Sequence, residues 1–323
     1  MSRPMVLQSM MDISEHARDV LLFTERVIRS GSRCVLAVVV HVEGSSSRAV
    51  GSMMSIGENG QFAGYVSNGC VDGDIALQAQ QALHSDRPRR VRYGIDSPYF
   101  DIKLPCGGAI EVIIIPNPPI REVTKGITQL TSRCRMHLEL NEVRQPYFQT
   151  FDHVPETIAN DSAFRHIYVP PLHIGIAGSG HETLAMARLA RAAHYDVSIW
   201  SPDSQLLEDC EVLGAQIQRL KSFNDIPTLH GDSWAAFVSL FHEHVWEPGL
   251  LMAALETDMF YIGAMGSKRT HAARLDELRR RGVSEDAFER LRGPIGLIPS
   301  TRDAAKLALS SLAEILSLYR SDG

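Results

Sequence analysis

The chain has little that would mark it for a membrane, for export or for a nucleic acid. No apolar run in its 323 residues approaches the ~20 residues needed to cross a bilayer. Runs such as 35–42 are strand-sized and interrupted by polar side chains. The first eleven residues lack the apolar core of a signal peptide. Five cysteines form an odd set without the spacing of a disulfide framework, which predicts a reducing compartment and a cytoplasmic protein. A formal charge of −6 and an isoelectric point near 6.1, with no basic tail, argue against nucleic-acid binding. The clusters Arg87-Pro88-Arg89-Arg90 and Arg279-Arg280-Arg281 read as solvated faces.

With 44% hydrophobic and 22% charged residues, the composition is that of an ordinary globular protein, and the length suffices for two cores. Apolar residues at helical spacing (Ala17, Val20, Leu21, Phe23, Val27) predict a first helix over 12–30, capped by Asp12. Strands are expected at 34–42, 52–56, 62–66, 91–93 and 109–116, with a helix over 72–84, so this half mixes elements without a regular βαβ repeat. From Leu172 the pattern alternates: strands at 172–177, 196–200, 235–241 and 259–264 with helices between them. The last helix, over 302–319, is expected to turn Ala305, Leu309, Leu312, Ile315 and Leu316 to one side. The expected class is α/β. It comprises an α+β amino-terminal domain over 1–150, a proline-marked linker over 151–171 and a Rossmann-like, doubly wound parallel sheet over 172–323.

Two cysteines stand in glycine-bearing turns, Cys70 in Ser67-Asn68-Gly69-Cys70-Val71-Asp72-Gly73-Asp74 and Cys106 in Pro105-Cys106-Gly107-Gly108. Tight turns leave a sulfur accessible to a metal, a sulfur donor or a disulfide partner, whereas an ordinary free cysteine packs as a small apolar residue. Cys34, Cys134 and Cys210 lack such settings. The loop Glu43-Gly44-Ser45-Ser46-Ser47-Arg48 adds hydroxyls and a cation.

In the second half, Gly178-Ser179-Gly180-His181 stands where a first strand meets a helix, the context of a phosphate-binding turn. The third glycine of a dinucleotide fingerprint is replaced by Thr183, and Asp203 lies beyond the place where an acid would hold a ribose. A nicotinamide oxidoreductase is therefore the weaker reading of this turn. Gly266, Ser267, Arg269, Thr270 and His271 follow a later strand and form either an anion-binding cluster or a capping turn. His242 and His244 would point to opposite faces of a strand, so a shared metal would require a turn there.

These segments together resemble the XdhC/CoxI family of molybdenum cofactor chaperones, the xanthine dehydrogenase accessory proteins. Residues 43–48 resemble its EGSSPR loop, 67–74 its SGGCVEGD segment and 106–112 its CGG-x-x-EV motif. Residues 178–181 resemble GAGH, 263–274 resemble GALGSRRTHAAR and 294–297 match PIGL. Ser47, Asn68, Asp72 and the run 298–301 depart from the pattern, Asn68 being a residue that tolerates positive φ.

The resemblance implies a non-enzymatic carrier. Its cargo would be the molybdenum cofactor, either molybdopterin or its cytosine dinucleotide form. The carrier would protect it during sulfuration by a cysteine desulfurase and deliver it to an apo-molybdoenzyme of the xanthine dehydrogenase class. The implied contacts are Cys70 and Cys106 at the molybdenum end, with Ser45, Ser46, Arg48, Gly178, Gly180, His181, His242, Gly266, Ser267, Arg269, Thr270 and His271 around the rest. A homodimer is implied by analogy, and a thiol-dependent sulfur-transfer protein is the other alternative.

Overall fold

The computed structural model describes residues 15–95, 97, 107–141, 147–151, 163–223, 226–243 and 245–319. Asp12, Cys106 and His244 lie outside the described residues. Chain contacts divide the molecule between Pro170 and Pro171.

In the first unit, an antiparallel sheet has the order β3-β2-β1-β5-β4, from β1 (Cys34–Glu43), β2 (Met53–Gly57), β3 (Phe62–Gly64), β4 (Arg89–Gly94) and β5 (Ala109–Pro116). Side chains alternate across a strand, and both faces of this sheet are covered. Val35, Ala37 and Val39 of β1, with Ile110, Val112 and Ile114 of β5, pack on Ile75, Ala79, Ala82 and Leu83 of α2 (Asp72–Ser85). Leu36, Val38, Ile113 and Ile115 face the other way, onto α1 (Ala17–Arg29) and α3 (Ile120–Thr131). Two covered faces explain why β1 and β5 read as continuous apolar runs. The β1–β5 register shifts between Val39 and His41, a bulge just ahead of the hydroxyl-rich loop. A second sheet, β7-β6-β8, is built from β6 (Met136–Asn141), β7 (Tyr147–Phe151) and β8 (Phe164–Tyr168).

Two expectations change here. The cap of α1 is His16: its Nδ1 accepts from Arg18 N at 3.1 Å while Nε2 faces the Val169 carbonyl at 3.0 Å, a pair of contacts that puts the proton on Nε2. The stretch 151–171, read as a linker, contains β8, which pairs antiparallel with β6.

In the second unit, six parallel strands have the order β11-β10-β9-β12-β13-β14: β9 (His173–Gly178), β10 (Asp196–Ser201), β11 (Gln216–Arg219), β12 (Ala235–Leu240), β13 (Tyr261–Ala264) and β14 (Leu291–Arg292). This is the doubly wound order 3-2-1-4-5-6, whose direction reverses between β9 and β12. On one face Ile174, Ile176 and Val238 pack on α4 (His181–Ala192), α5 (Ser204–Val212) and α8 (Ala304–Leu318). On the other, Ala177, Phe237 and Ile262 pack on α6 (Glu247–Leu255) and α7 (Lys268–Arg280).

The buried side of α8 differs from the one expected. Ala308, Ser311, Leu312 and Ile315 face inward, whereas Leu309 and Leu316 are 57% and 40% exposed and Ala305 is exposed. Among the described residues, no helix is long and apolar enough to cross a membrane.

Ile176 is fully buried in the central strand, whereas Ile217 stands exposed on the edge strand β11. Ile176→Ala is expected to lower unfolding stability by about 2–5 kcal/mol and Ile217→Ala by about 0.5 kcal/mol or less, as measured by urea denaturation.

Candidate functional site

In the first unit, three of the sequence motifs meet at one end of β1. The Ser46 hydroxyl accepts from Arg48 N at 3.2 Å, turning the loop back on itself. Arg48 then reaches across: Nε donates to the Ser67 carbonyl at 3.3 Å, Nη1 pairs with Glu15, and the guanidinium lies 5.6 Å from the Tyr65 ring centroid. This cation, expected to meet a ligand, ties the hydroxyl loop to the cysteine turn. Ser45 remains exposed on the same loop. A side chain at Gly108 would collide with the carbonyls of Glu43 and Ser45, so the second glycine after Cys106 packs directly under that loop.

The turn that presents Cys70 is closed by its own side chains. The buried Ser67 hydroxyl accepts from Gly69 N at 3.1 Å and Val71 N at 3.2 Å, and the Asp72 carboxylate accepts from Ser67 N and Gly69 N. Gly69, with φ 95°, takes the left-handed conformation in this turn, and Asn68 does not. Cys70 is exposed just before α2. Cys34 and Cys210 are buried, and burial pushes their thiols up to about 12 and about 11, so they stay protonated. Cys134 is exposed.

In the second unit, a cavity of about 820 Å³ opens at the carboxyl edge of the sheet. It draws on Glu182 in the first turn of α4, on Phe241 and His242 after β12, and on Met265 to Lys268 with Thr270 at the start of α7. Pro294 to Gly296 and Pro299 to Asp303 before α8 complete it. Helix starts carry partial positive charge, and here those of α4, α7 and α8 contribute residues to one space beside Lys268 and Arg302. That arrangement suits an anion.

The expected residues divide around this cavity. Gly266, Ser267, Thr270 and His242 line it; Gly178, Gly180, His181, Arg269 and His271 are not among its lining residues. Ser267 caps α7, accepting from Thr270 N at 3.1 Å, with its hydroxyl 2.9 Å from that of Thr270. His242 is 65% exposed, 3.5 Å from Glu182 Oε2 across the point where the strand order reverses. Gly178 leaves no room for a Cβ between Thr183 and Leu240. Asp203 spends its carboxylate capping α5, accepting from Gln205 N and Leu206 N, and Ser201 Oγ accepts from Asp203 N.

Beneath the cavity lies a pair that sequence inspection missed. Arg274 donates to both oxygens of Glu247 at 2.9 Å, to the Met265 carbonyl at 2.6 Å and to His271 Nδ1 at 3.2 Å. Ser239, at the end of β12, donates to Glu247 at 3.3 Å. A guanidinium only donates, so His271 carries its proton on Nε2. Burial, reinforced by Arg274, holds the His271 pKa below its ordinary value and the ring neutral. That ring packs where a side chain at Gly293 would fall. Glu314 fixes the neighbouring loop by accepting from Gly296 N and from the Tyr261 hydroxyl, whose pKa is raised by burial and by Glu314.

Among the described residues, no group of three or more His, Cys, Asp or Glu could hold a metal ion. The arginine clusters are occupied with neighbours: Arg90 with Glu111, Arg279 with Glu285, and Arg280 and Arg281 with Glu277.

Residues 27–94 match the XdhC and CoxI family, and residues 174–315 match the XdhC Rossmann domain. Over 311 residues, 95% of this chain and 90% of the relative, the sequence is 33% identical to the molybdenum cofactor insertion chaperone PaoD of Escherichia coli (strain K12). The chain belongs to the XdhC/CoxI family. The uncharacterized protein YqeB of the same strain is 23% identical over 319 residues, 92% of this chain and 46% of the relative. A crystal structure described as a xanthine dehydrogenase from Bacillus halodurans shares the fold, with a TM-score of 0.76 at 21% identity over 95% of this chain and 97% of that one. Of the XdhC/CoxI motifs, the hydroxyl loop and the cysteine turn lie in the first unit, and the glycine turn and the α7 cluster in the second.

Glu247→Ala would leave Arg274 buried without its counter-charge and is expected to cost about 3–5 kcal/mol by chemical denaturation. Because folding depresses the His271 pKa, its contribution to stability is complete above its ordinary value of 6.5 and is lost as pH falls toward the folded value. His271→Gln is expected to flatten the decline in melting temperature between about pH 7 and about pH 5, leaving the part due to His166, also depressed by burial.

Proposed function

We propose that this protein is a carrier that binds a molybdenum cofactor and inserts it into an apo-molybdoenzyme of the xanthine dehydrogenase class. The observation that carries this reading is the likeness to a cofactor insertion chaperone over 95% of the chain, which takes in the segments of both candidate sites. In this reading Cys70, with Cys106, meets the molybdenum end, since a thiolate is a soft ligand suited to that metal. In the same reading Ser45 and Ser46 serve as hydroxyl donors to the cargo. Taken by itself, the cavity in the second unit suits a phosphate group, at the helix starts of α7 and α8 and beside Lys268, Arg302 and His242. Gly178, Gly180, His181, Arg269 and His271 act around that space.

A nicotinamide oxidoreductase fits this geometry less well. An acid at the end of β10 would have to hold a ribose, and Asp203 is committed to the α5 cap. Loading of the cargo by a cysteine desulfurase, assembly as a homodimer and a cytoplasmic location complete the proposal. The two buried thiols suit a reducing compartment.

The test is mass spectrometry of ligand extracted from protein made in a molybdate-fed host, together with activity of a co-expressed molybdoenzyme. The wild-type protein is expected to carry a molybdenum-pterin species and to raise client activity. Cys70→Ser is expected to retain less molybdenum and Lys268→Ala to lower cofactor occupancy about tenfold. Absence of any pterin, with no change in client activity, would sink the proposal.

A further inference from the structure

The cavity has an aromatic shoulder that the contacts described so far leave unused. Phe241, buried in the cavity wall, stacks on Trp246 with ring centroids 6.4 Å apart and planes inclined by 23°. Trp246 meets Phe223 edge-on, at 6.0 Å and 78°. Exposure rises along this series: Phe241 is buried, Trp246 half-buried and Phe223 54% exposed, with Val245 beside Trp246 also 54% exposed. The rings come from separate segments, one following β11 and one around the start of α6. Ile226, three residues after Phe223, fills the space a side chain at Gly249 of α6 would need, which holds the first segment against the second.

Single exposed apolar residues are common on protein surfaces, but here two partly exposed rings are linked by ring contacts to Phe241, a residue of the cavity wall. Two rings with planes at 78° make a corner. Aromatic systems pair by offset stacking or edge-to-face contact, so a third planar ring satisfies both walls at once in a way a flexible alkyl chain does not.

Resting on the reading that the cavity takes a phosphate group, the geometry points to Phe223 and Trp246 as a stacking platform for a planar heteroaromatic ring carried by the same ligand. Phosphate and ring are then held side by side, the first by helix starts and Lys268, the second by the aromatic corner. Such a ring belongs either to a pterin or to a nucleobase, and both offer the same π-face chemistry.

Calorimetry and tryptophan fluorescence on the full chain test this with three probes: 6-hydroxymethylpterin phosphate, cytidine 5′-monophosphate and the ring-free ribose 5-phosphate. At least one ring-bearing probe is expected to bind more tightly than ribose 5-phosphate and to quench indole emission. The tighter of the two identifies the source of the ring. Phe223→Ala is expected to weaken ring-bearing probes about tenfold, the loss of one stacked base, and to leave ribose 5-phosphate unchanged. Trp246→Phe keeps an aromatic face and is expected to retain binding while abolishing the quench, since Trp200 and Trp234 remain. Equal effects of Phe223→Ala on all three probes, no effect on any, or no binding by any probe overturns the platform. If Lys268→Ala leaves ribose 5-phosphate binding intact while Phe223→Ala still discriminates the rings, the phosphate assignment fails and the platform stands.

Discussion

Arg274 has five donors and no accessible neutral form, so burying it obliges the surrounding chain to supply acceptors. Glu247 provides two, the Met265 carbonyl a third and His271 Nδ1 a fourth, and Glu247 also receives the Ser239 hydroxyl. One buried ion pair thereby joins the ends of β12 and β13 to the starts of α6 and α7. A shift of the turn over 265–270 would take the Met265 carbonyl from Arg274. In a low-dielectric interior that penalty is severe, which makes the α7 side of the cavity a fixed wall. A wall fixed in advance loses little entropy when a ligand meets it.

The cysteine turn of the first unit solves a related problem at the surface, with a hydroxyl, a carboxylate and a cation. Ser67 and Asp72 satisfy the amides around Gly69 from within the turn, and Arg48 secures the Ser67 carbonyl from the neighbouring loop. The result is an exposed thiol on a backbone whose polar groups are already spoken for. The scaffold of the turn is thus set by its own bonds and leaves the sulfur open to solvent.

What could be read along the chain was what depends on near neighbours. The runs 34–42 and 109–116 are apolar because both faces of their sheet are covered, and the glycines of 178–180 and 263–266 stand where strands hand over to helices. Contacts between distant residues were not legible. Glu247 and Arg274 are separated by 27 positions, and neither stands in a pattern that announces burial. The partners of Arg48, Glu15 and the Ser67 carbonyl, lie 33 and 19 residues away. The face of α8 was misjudged by hydrophobicity alone. Ser310 is buried because its hydroxyl accepts from Ile298 N at 2.7 Å, fixing the loop before the cavity, and Leu309 and Leu316 are left outside.

A doubly wound sheet need not hold an adenosine. Its order creates a crevice whose two halves lie beyond β9 and β10 on one side and beyond β12 and β13 on the other. In the first half Thr183 is buried in place of the third glycine, and Ser201 and Asp203 are absorbed in starting α5. In the second half the helix starts of α7 and α8, Lys268 and Arg302 line an open cavity. The fold therefore retains the positive pole that phosphate chemistry requires while the half that would hold an adenosine is spent on structure. Fold alone would suggest hydride transfer; the side chains at the strand ends fit it less well.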